Sequence, residues 1–183
     1  SPAYAAYAQG QYLTALKLAE AEAEKGSKEA YTLLGEIYEG GLGVAQDLSK
    51  AADSYAKGAD LGDANAQFSL GLLVAEGRGL RKDLKLAANL FEKAADGGQA
   101  LAQYNLALIY LDGKGRPADE KKAAEWMQKA AEHGLPLAAY DLGGFYQFGR
   151  GVAADKAKAA EWTGRAAEAG QPLRRRNINL PFG

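Results

Sequence analysis

Leu34-Gly35-Glu36-Ile37-Tyr38-Glu39-Gly40-Gly41-Leu42-Gly43-Val44-Ala45-Gln46-Asp47-Leu48-Ser49-Lys50-Ala51 is the stretch that decides the fold. It opens on an apolar helical stripe, breaks at glycines, and resumes after an aspartate. Its columns return at a fixed step of 36. Leu34, Leu70, Leu106 and Leu142 keep it, as do Gly43, Gly79, Gly115 and Gly151. Asp47, Asp83, Asp119 and Asp155 follow, then Ala51, Ala87, Ala123 and Ala159. Gly26, Gly62, Gly98, Gly134 and Gly170 punctuate the units. So many columns in one register identify a tandem array. The predicted units are 26–62, 63–98, 99–134 and 135–170, after an N-terminal capping half-repeat over 1–25 and before a cap or tail over 171–183.

Each unit reads as two helices. Ala30, Leu34 and Ile37–Tyr38 recur at helical spacing and predict a first helix from about Lys28 to Glu39. The Gly-x-Gly turn ends it, because glycine takes positive φ without a Cβ clash. Asp47 and its register mates sit where an N-cap is needed. The second helix turns Ala51, Ala52, Tyr55 and Ala59 inward and stops at Gly62. Alanines at 30, 66, 102 and 138, and at 59, 95, 131 and 167, allow close helix axes, with Trp126 and Trp162 filling the gaps. One pair of about 36 residues loses roughly 54 kcal/mol of conformational entropy at about 1.5 per residue. It cannot recover that alone, so the units must stack. The expected fold is all-α, an α-solenoid of helix-turn-helix repeats with a concave side. At the ends, residues 11–26 match a second helix preceded by a short first one around 3–9, and Arg174 breaks the alanine column of Ala138.

Composition narrows the chemistry. The 183 residues carry 22 Lys and Arg against 23 Asp and Glu, a net charge of -1. That balance argues against a nucleic-acid partner, which needs many uncompensated cations. No cysteine is present and His133 is the single histidine, so no cofactor or metal is expected. No apolar run approaches the roughly 20 residues of a membrane span. The chain starts at Ser1 rather than Met, which is read as processing or trimming.

Leu34-Gly35-x-x-Tyr38-x-x-Gly41-x-Gly43-Val44-x-x-Asp47-x-x-Lys50-Ala51 resembles the Sel1-like repeat, a relative of the tetratricopeptide repeat. So do the unit ends Lys93-Ala94-Ala95-x-x-Gly98, Lys129-Ala130-Ala131-x-x-Gly134 and Arg165-Ala166-Ala167-x-x-Gly170. Val74, Ala107, Leu80 and Arg116 depart from the pattern without breaking the helices. The resemblance implies a right-handed superhelix that binds partners, usually proteins, and bacterial members that are often exported for envelope signalling, secretion or host contact. A periplasmic or otherwise exported location is therefore expected, with the cytoplasm as the other option. Nothing indicates a homo-oligomer.

In tetratricopeptide-like arrays the first helices line the concave surface. Transferred by the Leu-Gly anchor, that geometry offers Glu29, Thr32, Glu36 and Glu39, then Asn65, Phe68, Leu72 and Ala75. It continues with Leu101, Tyr104, Leu108 and Leu111, then Leu137, Tyr140 and Gln147. A neighbouring column adds Ser69, Asn105 and Asp141, able to bond a peptide backbone. The groove is thus expected to be acidic at one end and apolar at the other. Its predicted partner-binding residues are Phe68, Leu72, Leu101, Tyr104, Asn105, Leu108, Leu137 and Tyr140, and its occupant is a protein or peptide segment.

Catalytic readings are weaker. Each Gly-x-Gly follows a helix, whereas a dinucleotide fingerprint follows a strand. Ser54-Tyr55-Ala56-Lys57 matches Ser-x-x-Lys, but no Lys-Thr-Gly accompanies it. His133 reads as a helix-end cation, Glu20 and Glu24 as a solvated face, and Arg174-Arg175-Arg176 as a solvated tail. The leading expectation is a non-catalytic interaction scaffold. The alternatives are a glycan or peptidoglycan module stacking sugars on Tyr104 and Tyr140, and a weak hydrolase using carboxylates or Ser54.

Overall fold

Paired helices build the chain in the computed structural model, which describes residues 1–170. Among those residues are ten helices and no strand. A short first helix leads, α1 (Pro2–Ala8), paired with α2 (Tyr12–Glu24). The first helices of the four repeats are α3 (Lys28–Gly40), α5 (Ala64–Glu76), α7 (Ala100–Asp112) and α9 (Pro136–Phe148). Their partners are α4 (Leu48–Asp60), α6 (Leu84–Asp96), α8 (Glu120–Glu132) and α10 (Lys156–Glu168). The chain divides into two compact units, Ser1–Asp83 and Leu84–Gly183. The predicted cap or tail over 171–183, with Arg174–Arg176, lies outside the described residues. No described helix is long and apolar enough to cross a membrane.

The helix ends follow from the repeated polar and glycine columns. Asp47, Asp119 and Asp155 accept from the backbone N–H of Lys50, Lys122 and Lys158 at 3.0, 3.1 and 3.0 Å. These bonds satisfy amides that a helix start leaves unpaired. A second capping column lies before the first helices, where sequence reading did not look. Ser27, Asp63 and Gln99 accept from Ala30, Ala66 and Ala102, while Leu135 has no side-chain cap bond and is followed by Pro136. Pro lacks the N–H that a first turn leaves unpaired, so that start needs less capping.

The two glycines of each turn have different tasks. Gly41, Gly77, Gly113 and Gly149 are the left-handed C-caps of the first helices, φ 63° to 70°. The second glycine also has positive φ, 68° at Gly151, and it is a packing position as well. A Cβ on Gly151 would collide with the backbone oxygen of Glu120, in the first turn of the preceding repeat's second helix. Gly115 meets the oxygen of Leu84 in the same way, and within the first unit Gly79 meets that of Leu48 at 2.5 Å. Here the glycine serves close approach as much as φ.

Each turn is closed by one backbone bond, from Asp47, Asp83, Asp119 and Asp155 N–H to the carbonyls of Tyr38, Val74, Tyr110 and Tyr146, at 2.8–3.0 Å. Lys50, Lys122 and Lys158 lie 5.3, 5.5 and 5.3 Å over the rings of Tyr38, Tyr110 and Tyr146. Such cation–π contacts contribute about 0.5–1 kcal/mol at exposed sites. Val74 forfeits this contact in the second repeat and keeps the backbone closure.

The cores are small-residue seams with a few large plugs. In the first unit Ala3, Ala15, Ala19, Ala30, Leu33 and Ile37 are buried together. Tyr55 packs over Gly35 so closely that a Cβ there would strike its ring. In the second unit Phe91, Leu106, Ile109, Met127 and Leu142 are fully buried. The expected alanine column is completely packed at Ala66, Ala102 and Ala138, all 0% exposed, whereas Ala167 on the other alanine column is exposed. Trp162 is buried, but Trp126 is only half-buried and stacks under Lys129 at 4.2 Å.

Candidate partner-binding surface

The first helices α3, α5, α7 and α9 carry the columns on which a partner was expected, and the two units present them differently. In the first unit α3 is polar and partly enclosed. Thr32 is 1% exposed and donates to the Asp63 carboxylate at 2.6 Å, so the start of α5 covers it. The same carboxylate caps Ala66 N–H at 3.0 Å. Glu39 accepts from the Tyr55 hydroxyl at 2.7 Å and pairs with Arg78 at 3.4 Å. Glu36 is half-buried, and desolvation, then the charges of Glu39 and Asp63, push its carboxyl above the ordinary range. Burial and the Glu39 carboxylate likewise push the Tyr55 hydroxyl far up, so it stays a donor. Of the three glutamates offered on α3, Glu39 is bonded, Glu36 is half-buried, and only Glu29 is exposed. On α5, Leu72 is half-buried and Asn65 exposed, but Phe68 is only 7% exposed.

In the second unit the same columns are mostly closed. Tyr104, Asn105 and Leu108 on α7 are each 1% exposed, and Leu137 on α9 is buried. The cause is the offset between stacked repeats. Tyr104 donates its hydroxyl to Asp141 at 2.5 Å, a partner 37 residues on, so α9 lies across the face of α7. This corrects the expectation of an open groove at Phe68, Tyr104, Asn105, Leu108 and Leu137. Of the eight predicted residues, Leu72, Leu101 and Tyr140 retain accessible area. Asn105 does not offer its amide outward: its Nδ2 is a buried polar atom without a partner.

Two apolar residues outside the predicted eight complete the accessible set. Leu111 on α7 is half-buried, and Phe148, the last residue of α9, is 72% exposed. Both line a cavity of about 470 Å3 with Tyr140, Asp141, Gly144 and Thr163. Phe148 stands on the column of Gly40, Glu76 and Asp112, so an aromatic among glycine and acids was the signal to find it. Gly144 lines the cavity where its column elsewhere has Glu36, Leu72 and Leu108, and among the described residues nothing lies within 4 Å of the Cβ it lacks.

The remaining candidates are structural. His133 caps α8 and shares its ring Nδ1 with the Gln103 side-chain oxygen at 2.7 Å. Gln103 in turn donates to the Ala95 carbonyl at 3.1 Å, and Gln67 to Ala59 at 3.3 Å, tying each first helix to the last turn before it. Lys57, the lysine of the Ser-x-x-Lys match, lies 5.8 Å over the Tyr31 ring. Glu20 and Glu24 are exposed, while Glu22 accepts the Ala3 N–H at 3.0 Å and holds the start of α1. Arg116, which departs from the valine column, bonds Glu92 at 2.9 Å, the Tyr110 hydroxyl at 2.8 Å and Asn89 at 2.9 Å. Among the described residues no group of His, Asp and Glu could hold a metal ion.

Comparison with known proteins agrees with this architecture. The Sel1 repeat model matches residues 28–63, 64–99, 100–135 and 136–171. No match was found among curated proteins. The chain is similar to the crystal structure of a Sel1 repeat protein from Oxalobacter formigenes, with 32% identity and a TM-score of 0.86, covering 92% of this chain and 70% of that one. It is also similar to c5321, a protective antigen of uropathogenic Escherichia coli with an SLR fold, at 28% identity and a TM-score of 0.84, covering 92% of this chain and 38% of that one. Helicobacter pylori cysteine rich protein B matches at 25% identity and a TM-score of 0.53, covering 68% of this chain and 92% of that one. This chain has no cysteine, so no disulfide takes part in its fold. Sel1 arrays are generally scaffolds for protein–protein interaction. With four repeats in register and the solenoid fold of its structural neighbours, the chain belongs to the Sel1 repeat family.

Proposed function

We propose that the chain is a non-catalytic scaffold that holds a segment of a partner protein on its first-helix faces. The observation that carries this reading is that apolar side chains stay accessible on those helices within each unit: Leu72 in the first, and Leu101, Leu111, Tyr140 and Phe148 in the second. Single exposed apolar residues are ordinary; their recurrence on first helices is what points to a partner. Burying one such anchor contributes about 1.5–3 kcal/mol. Glu29, Glu36 and Glu39 on α3 favour a segment with basic residues within the first unit. A bacterial envelope setting, periplasmic or otherwise exported, is part of the proposal and is supported by the bacterial origin of the structural neighbours. The test is titration of a crosslink-identified partner peptide. Leu72→Ala and Leu101→Ala are each expected to weaken binding about tenfold while circular dichroism stays unchanged. Unaltered affinity in both variants contradicts the surface assignment. A glycan reading loses its footing at Tyr104, which is 1% exposed.

A further inference from the structure

Arg116 interrupts a column that is otherwise aliphatic, with Val44, Leu80 and Val152, and its contacts define a seat for a guanidinium. It donates to the Glu92 carboxylate at 2.9 Å, the Tyr110 hydroxyl oxygen at 2.8 Å and the Asn89 side-chain oxygen at 2.9 Å. Asn89 and Glu92 are three positions apart on α6, so they share a helix face and a planar fork can bridge them. The Arg116 side chain is 16% exposed, seated in the fold rather than laid over it.

One repeat further on in the same unit, Val152 stands in the arginine's place. A cavity of about 490 Å3 lies there, lined by Val152 with Glu125, Gln128, Tyr146 and Gly151. Its acceptors are those of the Arg116 seat at the 36-residue step, with carboxylate and amide exchanged: Glu125 for Asn89, Gln128 for Glu92, Tyr146 for Tyr110. The Tyr146 hydroxyl donates to Gln128 Oε1 at 3.3 Å, which leaves its own oxygen able to accept. Lys121 and Lys129 also line the cavity, but Lys85 and Lys93 hold the same register places around Arg116, so such lysines do not bar a guanidinium. Lys129, besides, lies 4.2 Å over the Trp126 ring. The first unit has no counterpart: the register pairs Val44 with Lys17 and Glu20, and Leu80 with Asp53 and Ala56.

We propose that this cavity takes an arginine side chain of a partner protein, its guanidinium bridging Glu125 and Gln128 beside Tyr146 as Arg116 bridges Asn89 and Glu92 beside Tyr110. The site lies between α8 and the turn after α9, apart from the first-helix columns, and goes beyond the reading given for them. The Glu125 carboxylate supplies the charge complement, and the planar fork selects arginine over lysine. The test titrates the full chain with a blocked Gly-Arg-Gly peptide while the amide NMR signals of Gly151 and Val152 are followed. Saturable shifts are expected, with binding about tenfold weaker for the Gly-Lys-Gly counterpart and absent when citrulline replaces arginine. Glu125→Gln, at an exposed position, is expected to weaken binding about tenfold with the fold unchanged. Val152→Arg is expected to abolish it, because the chain's own guanidinium then fills the seat. Lack of a saturable shift at Gly151 overturns the proposal, as does equal binding of the lysine peptide or unaltered binding by both variants. Tighter binding of free arginine than of the blocked peptide also overturns it, by assigning the cavity to a small molecule. The Leu72 and Leu101 titrations are independent of all these results, so the two readings fail separately.

Discussion

The first and fourth repeats share their scaffold columns and differ in nearly everything those columns leave free. Both have a glycine C-cap on the first helix and an aspartate N-cap on the second, with the turn between closed by one backbone bond. Around that frame the first repeat builds polar, partly buried links: Thr32 to Asp63, Tyr55 to Glu39, Arg78 to Glu39. Among the described residues the fourth has Gly144 and Gly164 uncrowded and Phe148 exposed. A repeat architecture separates the positions that hold neighbours together from those that meet anything else. The first set is constant along the chain; the second is where this protein differs from itself.

That separation can be broken by substitution. The largest effect is expected at Gly151→Ala, which combines positive φ, about 1–2 kcal/mol, with a clash against the Glu120 backbone, about 1–3 kcal/mol. Chemical denaturation is expected to show a loss of about 3 kcal/mol. Its counterpart Gly164→Ala, inside α10 and uncrowded, is expected to stabilise by about 0.5–1 kcal/mol. Two glycines in one repeat should thus move stability in opposite directions.

Next in size is Thr32→Val, which removes a buried hydroxyl bonded to a carboxylate. Hydrogen bonds to charged groups contribute about 1.5–3 kcal/mol, so a loss of about 2 kcal/mol is expected in the same denaturation experiment. In the fourth repeat's column Tyr140 stands in place of threonine.

The smallest effect concerns pH. Glu36 holds its proton more tightly in the folded chain than in the unfolded one. Its contribution therefore favours the fold at low pH and fades as pH rises from the ordinary carboxylate range through the raised value. Glu36→Gln should melt higher than the parent at pH 7, and the gap should close as pH falls to about 4. A gap that widens on acidification contradicts the assigned burial.

The period, the helix pairs and the aspartate caps were legible in the sequence because each is a local signal repeated in register. Gly43, Gly79, Gly115 and Gly151 were read as turn residues, but the contact that makes Gly151 indispensable lies with Glu120, 31 positions away along the chain. Burial at Tyr104 and Leu108 was illegible for a related reason. Which column a following repeat covers depends on the stacking offset, and the bond from Tyr104 to Asp141 reveals that offset only in three dimensions. Phe148 could have been found by its contrast with Gly40, Glu76 and Asp112, once attention moved from what the columns share to where one member departs.

The central claim is that constant columns hold the array and that variable first-helix positions meet the partner. Its most direct measurement is site-specific photo-crosslinking in the native cell, with the reactive residue at Leu111 or Phe148 on the first-helix side, and at exposed Glu20 on α2 for comparison. The account predicts adducts to one partner segment from Leu111 and Phe148 and none from Glu20. Adducts from Glu20, with Leu111 and Phe148 silent, would contradict it.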